Sequence, residues 1–189
     1  MKEQRAIFLD RDGVINEFVL EAIRDPEEFR YYEFTATALR RLGKLGCPVV
    51  VVTNQSAIGR GWTTESIVGQ IHQRLMADLN TWGVEVLAIK HCPHHPDDGC
   101  RCRKPDSGML EEASREFGID LASSIMVGDS VVDMQVADKL KMKRIRVKTG
   151  RGESPLPADL EIDAHVKDLS EAVDWIASWL KENPPSPVG

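Results

Sequence analysis

Two hydrophobic patterns alternate along the 189 residues of the chain. Short apolar runs rich in β-branched residues predict strands that are buried on both faces of a sheet. These runs lie at residues 6–9, 49–52, 84–89, 125–127 and 145–147. Stretches with apolar residues three and four positions apart predict amphipathic helices, and the clearest two cover residues 67–82 and 169–180.

The alternation of strands and helices predicts an α/β fold with a doubly wound, Rossmann-like parallel sheet. The chain length suits a single domain over residues 1–189. Glycine and proline predict a surface loop at residues 150–157, and the proline-rich end predicts a flexible tail at residues 182–189. No stretch is long enough to form a separate cap domain.

Charge and composition narrow the class of protein. The formal net charge is -6, and acidic and basic residues are interspersed, which argues against a nucleic-acid partner. The N-terminal segment has too few apolar residues for a signal peptide, and no apolar run has membrane-spanning length. We therefore expect a cytoplasmic protein without a membrane partner. We also expect a monomer, because the sequence has no heptad seam and no evident sticky edge.

The predicted strands end at polar segments. Doubly wound parallel sheets place reactive groups in the crevice beyond the carboxyl ends of their strands. The first, second and fourth strands lead into DRDG at 10–13, TNQS at 53–56 and GDS at 128–130. The third leads into a segment rich in cysteine and histidine at 91–105, which ends in Arg-Lys-Pro. Together these segments predict a reactive crevice at one edge of the sheet.

Aspartates at two of these strand ends can act together. Asp10 and Asp12 are two positions apart on an extended segment, so one carboxylate can be a nucleophile and the other an acid. Asp10, Asp129 and the backbone carbonyl of Asp12 would form an oxygen-only site suited to Mg²⁺. The alternative is that DRDG forms a turn and that Asp129 and Ser130 cap the helix starting near Val131.

Two further segments offer groups that bind a phosphoryl group. Thr53 and Asn54 supply a hydroxyl and an amide with exposed backbone N–H groups nearby, and Lys104 supplies a compact positive charge. The alternative is structural, because threonine and asparagine are also common in strand-to-helix turns.

The cysteine and histidine segment has the composition of a metal site. Cys92, His94, Cys100 and Cys102 form C-x-H-x₅-C-x-C, a set of ligands that fits tetrahedral Zn²⁺. Four protein ligands leave no open position, so this zinc would be structural. His91 and His95 compete for the single histidine position, and the alternative is a set of reduced cysteines in a surface loop. Cys47, alone before a buried strand, is expected to be a core thiol.

Taken together, four motifs resemble the haloacid dehalogenase superfamily of aspartate-nucleophile phosphatases. They are FLDRDG at 8–13, VVTNQS at 51–56, CRKP at 102–105 and VGDSVVD at 127–133, in the order expected for that superfamily. The CPHHP and CRCRKP sequences and the TNQSAIGRG sequence resemble the heptose bisphosphate phosphatase group, which is similar to histidinol phosphatases. The resemblance implies a haloacid dehalogenase fold with a zinc-binding loop at 91–105, and it favours His94 as the histidine ligand.

The resemblance also implies a role for each motif residue. Asp10 would attack phosphorus to form an aspartyl phosphate, and Asp12 would protonate the departing sugar oxygen and later deprotonate water. Thr53 would hold the phosphoryl group, and Lys104 would neutralise its charge and orient Asp10. Asp129 would complete the Mg²⁺ site.

Substrate contacts are expected from four further residues, which are Asn54, Gln55, Arg103 and Ser130. Zinc would order the loop so that Lys104 reaches the phosphoryl group and Arg103 reaches a second phosphate. The chain departs from the family at Ser130, where related enzymes often have lysine, and at residues 16–24, where they tend to have a Gly-Tyr-Val element. These departures change a charge contact and a wall of the substrate site.

The expected function is hydrolysis of D-glycero-D-manno-heptose 1,7-bisphosphate to heptose 1-phosphate, a step in lipopolysaccharide precursor synthesis. The alternatives are a histidinol phosphatase or another small sugar phosphatase, and a phosphotransferase or mutase that uses the same aspartyl phosphate. A zinc-stabilised binding module without catalysis is a further alternative. The acidic balance of the sequence and the lack of a basic stripe argue against a binding module.

Overall fold

One parallel sheet organises the chain, which is described over residues 4–184 by a computed structural model. Its six strands have the order β3-β2-β1-β4-β5-β6. The strands are β1 Ile7–Leu9, β2 Val49–Asn54, β3 Val86–Cys92, β4 Ile125–Gly128, β5 Lys143–Val147 and β6 Ala164–Val166. The helices are α1 Thr35–Gly43, α2 Ser56–Gly59, α3 Glu65–Thr81, α4 Gly108–Phe117, α5 Val131–Lys139 and α6 Leu169–Glu182. Short 3₁₀ helices lie at Pro26–Glu28 and Pro96–Asp98.

Helices cover both faces of the sheet, because successive strand residues point to opposite sides. Alternate residues of the central strands, such as Leu9, Val51 and Val127, face one core, which α1, α3 and α6 complete. Their neighbours, such as Phe8 and Val50, face a second core with α4 and α5. The prediction of a doubly wound parallel sheet is therefore confirmed.

The predicted elements are present, with differences at their ends. The five predicted strands and the two predicted helices all form, but β6 was not predicted, because three partly exposed residues carry no apolar run. β3 extends to Cys92, although the apolar run ends at Ile89, because this edge strand mixes half-buried polar and apolar residues. β2 extends to Asn54, so Thr53 and Asn54 lie at the end of the strand and not beyond it.

The two predicted irregular segments have different outcomes. Residues 150–157 form no helix or strand and are mostly exposed, although Gly152 is buried. Helix α6 continues to Glu182, so the first residue of the predicted tail is helical. Residues 185–189 of that tail lie outside the described residues. Across residues 4–184, no helix combines the length and the apolar character needed to cross a membrane.

The strand order determines where the site forms. β1 lies at the centre between β2 and β4, and all three run in the same direction. Their carboxyl ends therefore bring residues 10–13, 53–56 and 128–130 to one edge of the sheet. The connection after β3 approaches the same edge, since β3 pairs with β2 along Thr53 and Asn54.

Candidate active site

A buried lysine joins the ends of several strands. The ammonium Nζ of Lys104 lies 3.0 Å from Asp10 Oδ1 and 2.6 Å from Asp133 Oδ1, and it donates to the backbone oxygen of Val52. Only 2% of Lys104 is exposed. Burial by itself lowers the pKa of Lys104, but the charges of Asp10 and Asp133 outweigh it and raise the pKa above its ordinary value. Lys104 is therefore a fixed positive charge beside Asp10.

Three carboxylates gather around this charge. One oxygen from each of Asp10, Asp129 and Asp133 lies within 4.8 Å of the other two. Burial raises the pKa of Asp10, and the neighbouring carboxylates add to that effect while Lys104 opposes it. Burial also raises the pKa of Asp129, to about 7, with Asp133 as the next cause. A divalent cation would offset this repulsion, and an all-oxygen donor set suits Mg²⁺.

Asp129 is held by β5 and by the segment that follows it. Its Oδ2 accepts a 2.7 Å hydrogen bond from the backbone N–H of Arg151, and its backbone oxygen accepts one from Nε of Arg146. Gly13 and Gly150 pack against its carboxylate, since a Cβ on either glycine would lie within 2.3 Å of Oδ2. The loop predicted at the surface thus contributes to the site through its first two residues.

Asp133 was not singled out by the sequence, although it lies inside the fourth motif. It is fully buried on the first turn of α5, and its Oδ2 accepts hydrogen bonds from the backbone N–H and the hydroxyl of Ser130. Ser130 is the N-cap of α5 and forms a capping box with Asp133. The capping role considered for this segment is present, and Asp129 reaches the carboxylate cluster at the same time. The signal was the spacing of Ser130 and Asp133, three positions apart, which is typical of a capping box at the start of a helix.

Asp12 has a different environment from Asp10. Its Oδ1 accepts a hydrogen bond from Asn16, and its Oδ2 accepts hydrogen bonds from Arg11 and Gln55 at 2.8–2.9 Å. Burial raises the pKa of Asp12, but the charge of Arg11 and these hydrogen bonds outweigh burial and lower it below the ordinary value. Its side chain lies outside the three-carboxylate cluster. The two aspartates of the first motif therefore have pKa values shifted in opposite directions.

Thr53 and Asn54 of the second motif form hydrogen bonds with other residues of the site. Thr53 is almost completely buried, and its hydroxyl accepts a 2.8 Å hydrogen bond from Gln55. The side-chain amide of Asn54 accepts from the backbone N–H of Lys104 and donates to its backbone oxygen, both at 3.0 Å. Asn54 thus fastens the backbone of Lys104 to the end of β2.

A cavity of about 220 Å³ is lined by Asp10, Asp12, Thr53, Lys104 and Asp129, but not by Asp133. All four residues predicted to contact substrate line it, which are Asn54, Gln55, Arg103 and Ser130. Residues 18–23 form one wall, so the segment that departs from the family does border the cavity. Arg151 also lines it, and its guanidinium stacks on the ring of Phe18 at 4.7 Å. Arg151 was missed because it lies far from the motifs in the sequence.

The cysteine and histidine segment brings four ligand atoms together. The sulfur atoms of Cys92, Cys100 and Cys102 are 3.2–3.5 Å apart, and Nδ1 of His94 lies 3.2 Å from the sulfur of Cys102. Tetrahedral zinc with bonds of about 2.3 Å requires ligand atoms on the order of 3.8 Å apart, so the donor set suits zinc with a small expansion.

His91 and His95, the other candidates for the histidine ligand, make different contacts. Nε2 of His91 lies 2.9 Å from a carboxylate oxygen of Glu65, and the ring of His95 accepts a hydrogen bond from the backbone N–H of Asp97. Neither ring belongs to the four-ligand cluster. Among the three histidines of the segment, the structure places His94 with the cysteines.

The comparisons with known proteins agree with this architecture. A family model described as HAD-hydrolase-like matches residues 101–172. The D-glycero-beta-D-manno-heptose-1,7-bisphosphate 7-phosphatase of Pseudomonas aeruginosa is 40% identical over 155 residues, which cover 80% of this chain and 87% of that protein. The D-glycero-alpha-D-manno-heptose-1,7-bisphosphate 7-phosphatase of Photorhabdus laumondii is 37% identical over 178 residues, which cover 90% and 97%.

The chain belongs to the heptose bisphosphate phosphatase family of haloacid dehalogenase-like hydrolases. The crystal structure of a family member, D,D-heptose 1.7-bisphosphate phosphatase from B. bronchiseptica, is 34% identical with a TM-score of 0.83. That alignment covers 93% of this chain and 99% of the other, which was complexed with magnesium and phosphate. The family and the fold inferred from the four motifs are therefore confirmed.

A substitution at Gly150 tests how closely the loop packs on Asp129. We expect Gly150→Ala to lose more stability than Gly46→Ala, although both glycines have a positive φ, 61° and 66°. A Cβ at position 150 would lie 2.1 Å from Asp129 Oδ2, whereas one at position 46 meets nothing within 4 Å. Urea unfolding should show a loss of about 1–2 kcal/mol for Gly46→Ala and a further loss of about 1–3 kcal/mol for Gly150→Ala. Equal losses would contradict this packing.

Proposed function

We propose that this protein is a Mg²⁺-dependent phosphatase that removes the C7 phosphate of D-glycero-D-manno-heptose 1,7-bisphosphate and leaves heptose 1-phosphate. The observation that carries the proposal is the position of Asp10, which faces Lys104 and Asp129 at the bottom of the cavity. The names of the relatives support this substrate, for both anomers of the sugar. A cytoplasmic location and a monomeric state stay predictions from the sequence.

In the first step, a carboxylate oxygen of Asp10 attacks phosphorus and the bond from phosphorus to the sugar oxygen breaks. Asp12 gives a proton to that oxygen, and the charge of Lys104 stabilises the transferring phosphoryl group. Asp12 has a low pKa in the free protein, but the negative charge of a bound phosphate raises the pKa of a neighbouring carboxyl. Substrate binding thus favours the acid form of Asp12 that this step needs.

In the second step, water attacks the aspartyl phosphate and the bond from Asp10 to phosphorus breaks. Asp12, now a carboxylate, takes a proton from this water, and phosphate leaves. Thr53 lies beside Gln55 at the end of β2, where its hydroxyl is available to the phosphoryl oxygens. The step returns Asp10 to its starting form.

The carboxylates of Asp10 and Asp129, with the backbone carbonyl of Asp12, are the residues that would hold Mg²⁺. When bound, the ion supplies positive charge that offsets the phosphoryl oxygens and the clustered carboxylates. Asp133 is close enough to belong to the cluster, but its oxygens already face Lys104 and Ser130. We therefore assign Asp133 to orienting Lys104.

Cys92, His94, Cys100 and Cys102 would hold Zn²⁺ in a structural site. The last of these ligands is two residues from Lys104, whose backbone is fastened to Asn54. Gly59 also packs on the segment, since a Cβ there would lie 2.3 Å from the backbone nitrogen of His95. Zinc and these contacts would hold the segment on the end of β2 and keep Lys104 in place.

Two arginines in the cavity would bind the second phosphate. Nη1 of Arg103 is buried and makes no hydrogen bond to a described residue. Across residues 4–184, neither Arg103 nor Arg151 forms an ion pair, so both guanidinium groups are available to an anion. A guanidinium can bind a phosphate with two hydrogen bonds. Arg151 would thereby supply positive charge in a cavity where Ser130 carries none.

A substrate panel tests the reaction and the sugar. We expect kcat/KM to be highest for a D-glycero-D-manno-heptose 1,7-bisphosphate anomer. Histidinol phosphate and hexose monophosphates should be at least about tenfold lower, because they lack the second phosphate that Arg103 and Arg151 would bind. Asp10→Asn should abolish turnover, because an amide is a poor nucleophile. Greater activity on histidinol phosphate would identify the other enzyme group. Phosphate release by Asp10→Asn at the wild-type rate would contradict the assignment of Asp10 as the nucleophile.

Arginine substitutions test the second-phosphate site. Arg103→Ala and Arg151→Ala should each raise KM for the bisphosphate about ten- to a hundredfold. A sugar monophosphate that lacks the second phosphate should show little change in KM. Lys44→Ala is a matched control, because Lys44 is exposed at the end of α1 and the substitution makes the same change in net charge. An equal loss for both substrates would show that these arginines do not discriminate the second phosphate.

Zinc removal tests the connection between the metal cluster and Lys104. We expect one zinc ion per chain by elemental analysis, and Cys100→Ser should lose zinc and lower kcat on the order of a hundredfold, because Lys104 would be misplaced. Cys47→Ala is the control, since Cys47 is buried away from the cluster and should keep zinc. Zinc-free protein with full kcat would refute the positioning role of the metal.

A further inference from the structure

A buried guanidinium lies behind the proposed acid. Arg11 is 1% exposed, and its Nη2 donates to both carboxylate oxygens of Asp12 at 2.9–3.0 Å, with Nε 3.3 Å from Oδ1. Its remaining terminal nitrogen, Nη1, lies 3.0 Å from Nε2 of His72 on α3. The ring of Phe29 packs 5.7 Å from the guanidinium carbon. Arg11 is thus held by three side chains, and only Asp12 among them belongs to the proposed chemistry.

The contact with Arg11 determines the protonation of His72. A guanidinium has only donors, so Nε2 of His72 must accept the hydrogen bond with its lone pair. The imidazole is therefore neutral and carries its proton on Nδ1. Burial, with the charges of Arg11 and His91, lowers the pKa of His72 to about 3, in agreement with a neutral ring.

His72 lies outside the cavity, because it is not among the residues that line it. Its ring packs edge-on against His91, and its hydrogen bond to Arg11 is the contact that leads to Asp12. Without an acceptor at position 72, Nη1 of Arg11 would be a buried donor without a partner, which is unfavourable. The guanidinium would be expected to turn toward another acceptor and to loosen its bonds to Asp12.

We propose that His72 is a positioning residue, whose neutral Nε2 fixes Arg11 so that Arg11 holds the Asp12 carboxyl in the orientation for proton transfer to the leaving group. This inference rests on the proposed phosphatase function. It assigns a role to a side chain outside the four motifs. That side chain would help to orient Asp12 without lining the substrate cavity.

The leaving group of the substrate distinguishes this role from a general structural one. kcat/KM includes only the steps up to cleavage of the bond between phosphorus and the leaving oxygen. A sugar oxygen needs a proton from Asp12 in that step, whereas p-nitrophenolate leaves without one. A misplaced Asp12 should therefore slow a sugar phosphate much more than p-nitrophenyl phosphate, whereas a general loss of folded protein slows both equally.

The test uses His72→Leu, which lacks an acceptor, and His72→Gln, whose amide oxygen can replace Nε2. Gln73→Leu is the matched control, since Gln73 is the next residue of α3 and is exposed. The substrates are p-nitrophenyl phosphate and the sugar phosphate that the wild type hydrolyses best. We expect His72→Leu to lower kcat/KM for the sugar phosphate about ten- to a hundredfold, with a change below about threefold for p-nitrophenyl phosphate. His72→Gln and Gln73→Leu should stay near the wild type.

Equal losses on both substrates, or a loss in His72→Gln as large as in His72→Leu, would overturn the proposal. Thermal unfolding of each variant shows whether it is folded. Nitrogen-15 NMR of the histidine rings gives a result that does not depend on activity, and a proton on Nε2 of His72 at neutral pH would also overturn it. A wild type without phosphatase activity would instead overturn the proposed function, whatever the state of His72.

Discussion

The ion pairs of Lys104 with Asp10 and Asp133 are the interaction on which the rest of the site depends. Buried carboxylates repel one another, and they can remain close together only with compensating positive charge. Lys104 supplies part of that charge from inside the protein, and a divalent cation beside Asp129 would supply the remainder. The central strands, the capping box of α5 and the cysteine and histidine segment all serve to hold these charges in one place.

Lys104 itself does not lie on a helix or strand, so its position depends on contacts from other elements. The amide of Asn54 binds its backbone on one side, and the cluster of Cys92 and Cys102 precedes it along the chain. A backbone segment without regular structure has a large conformational entropy to lose on ordering. The close approach to α2 reduces that freedom, and zinc held by the four proposed ligands would reduce it further.

The two aspartates of the first motif differ because their neighbours differ. Burial raises the pKa of Asp10 and the neighbouring carboxylates add to it, whereas the donors around Asp12 outweigh burial and lower its pKa. Opposite shifts in neighbouring carboxyl groups allow one to serve as nucleophile and the other as acid and base. Both carboxyl groups are buried, so the difference is produced by Arg11, Asn16 and Gln55 around Asp12 and by Asp133 and Asp129 beside Asp10.

The sequence by itself determined five of the six strands and the two clearest helices, because buried strands and amphipathic helices have local hydrophobic periods. It also located Asp10, Thr53 and Asp129, since parallel strands end at a common edge. Only the tertiary structure showed that Arg151 enters the cavity and that His72 contacts Arg11, 61 positions away. Such contacts join residues from separate elements, and no local pattern in the sequence records which side chains will meet when the helices pack on the sheet.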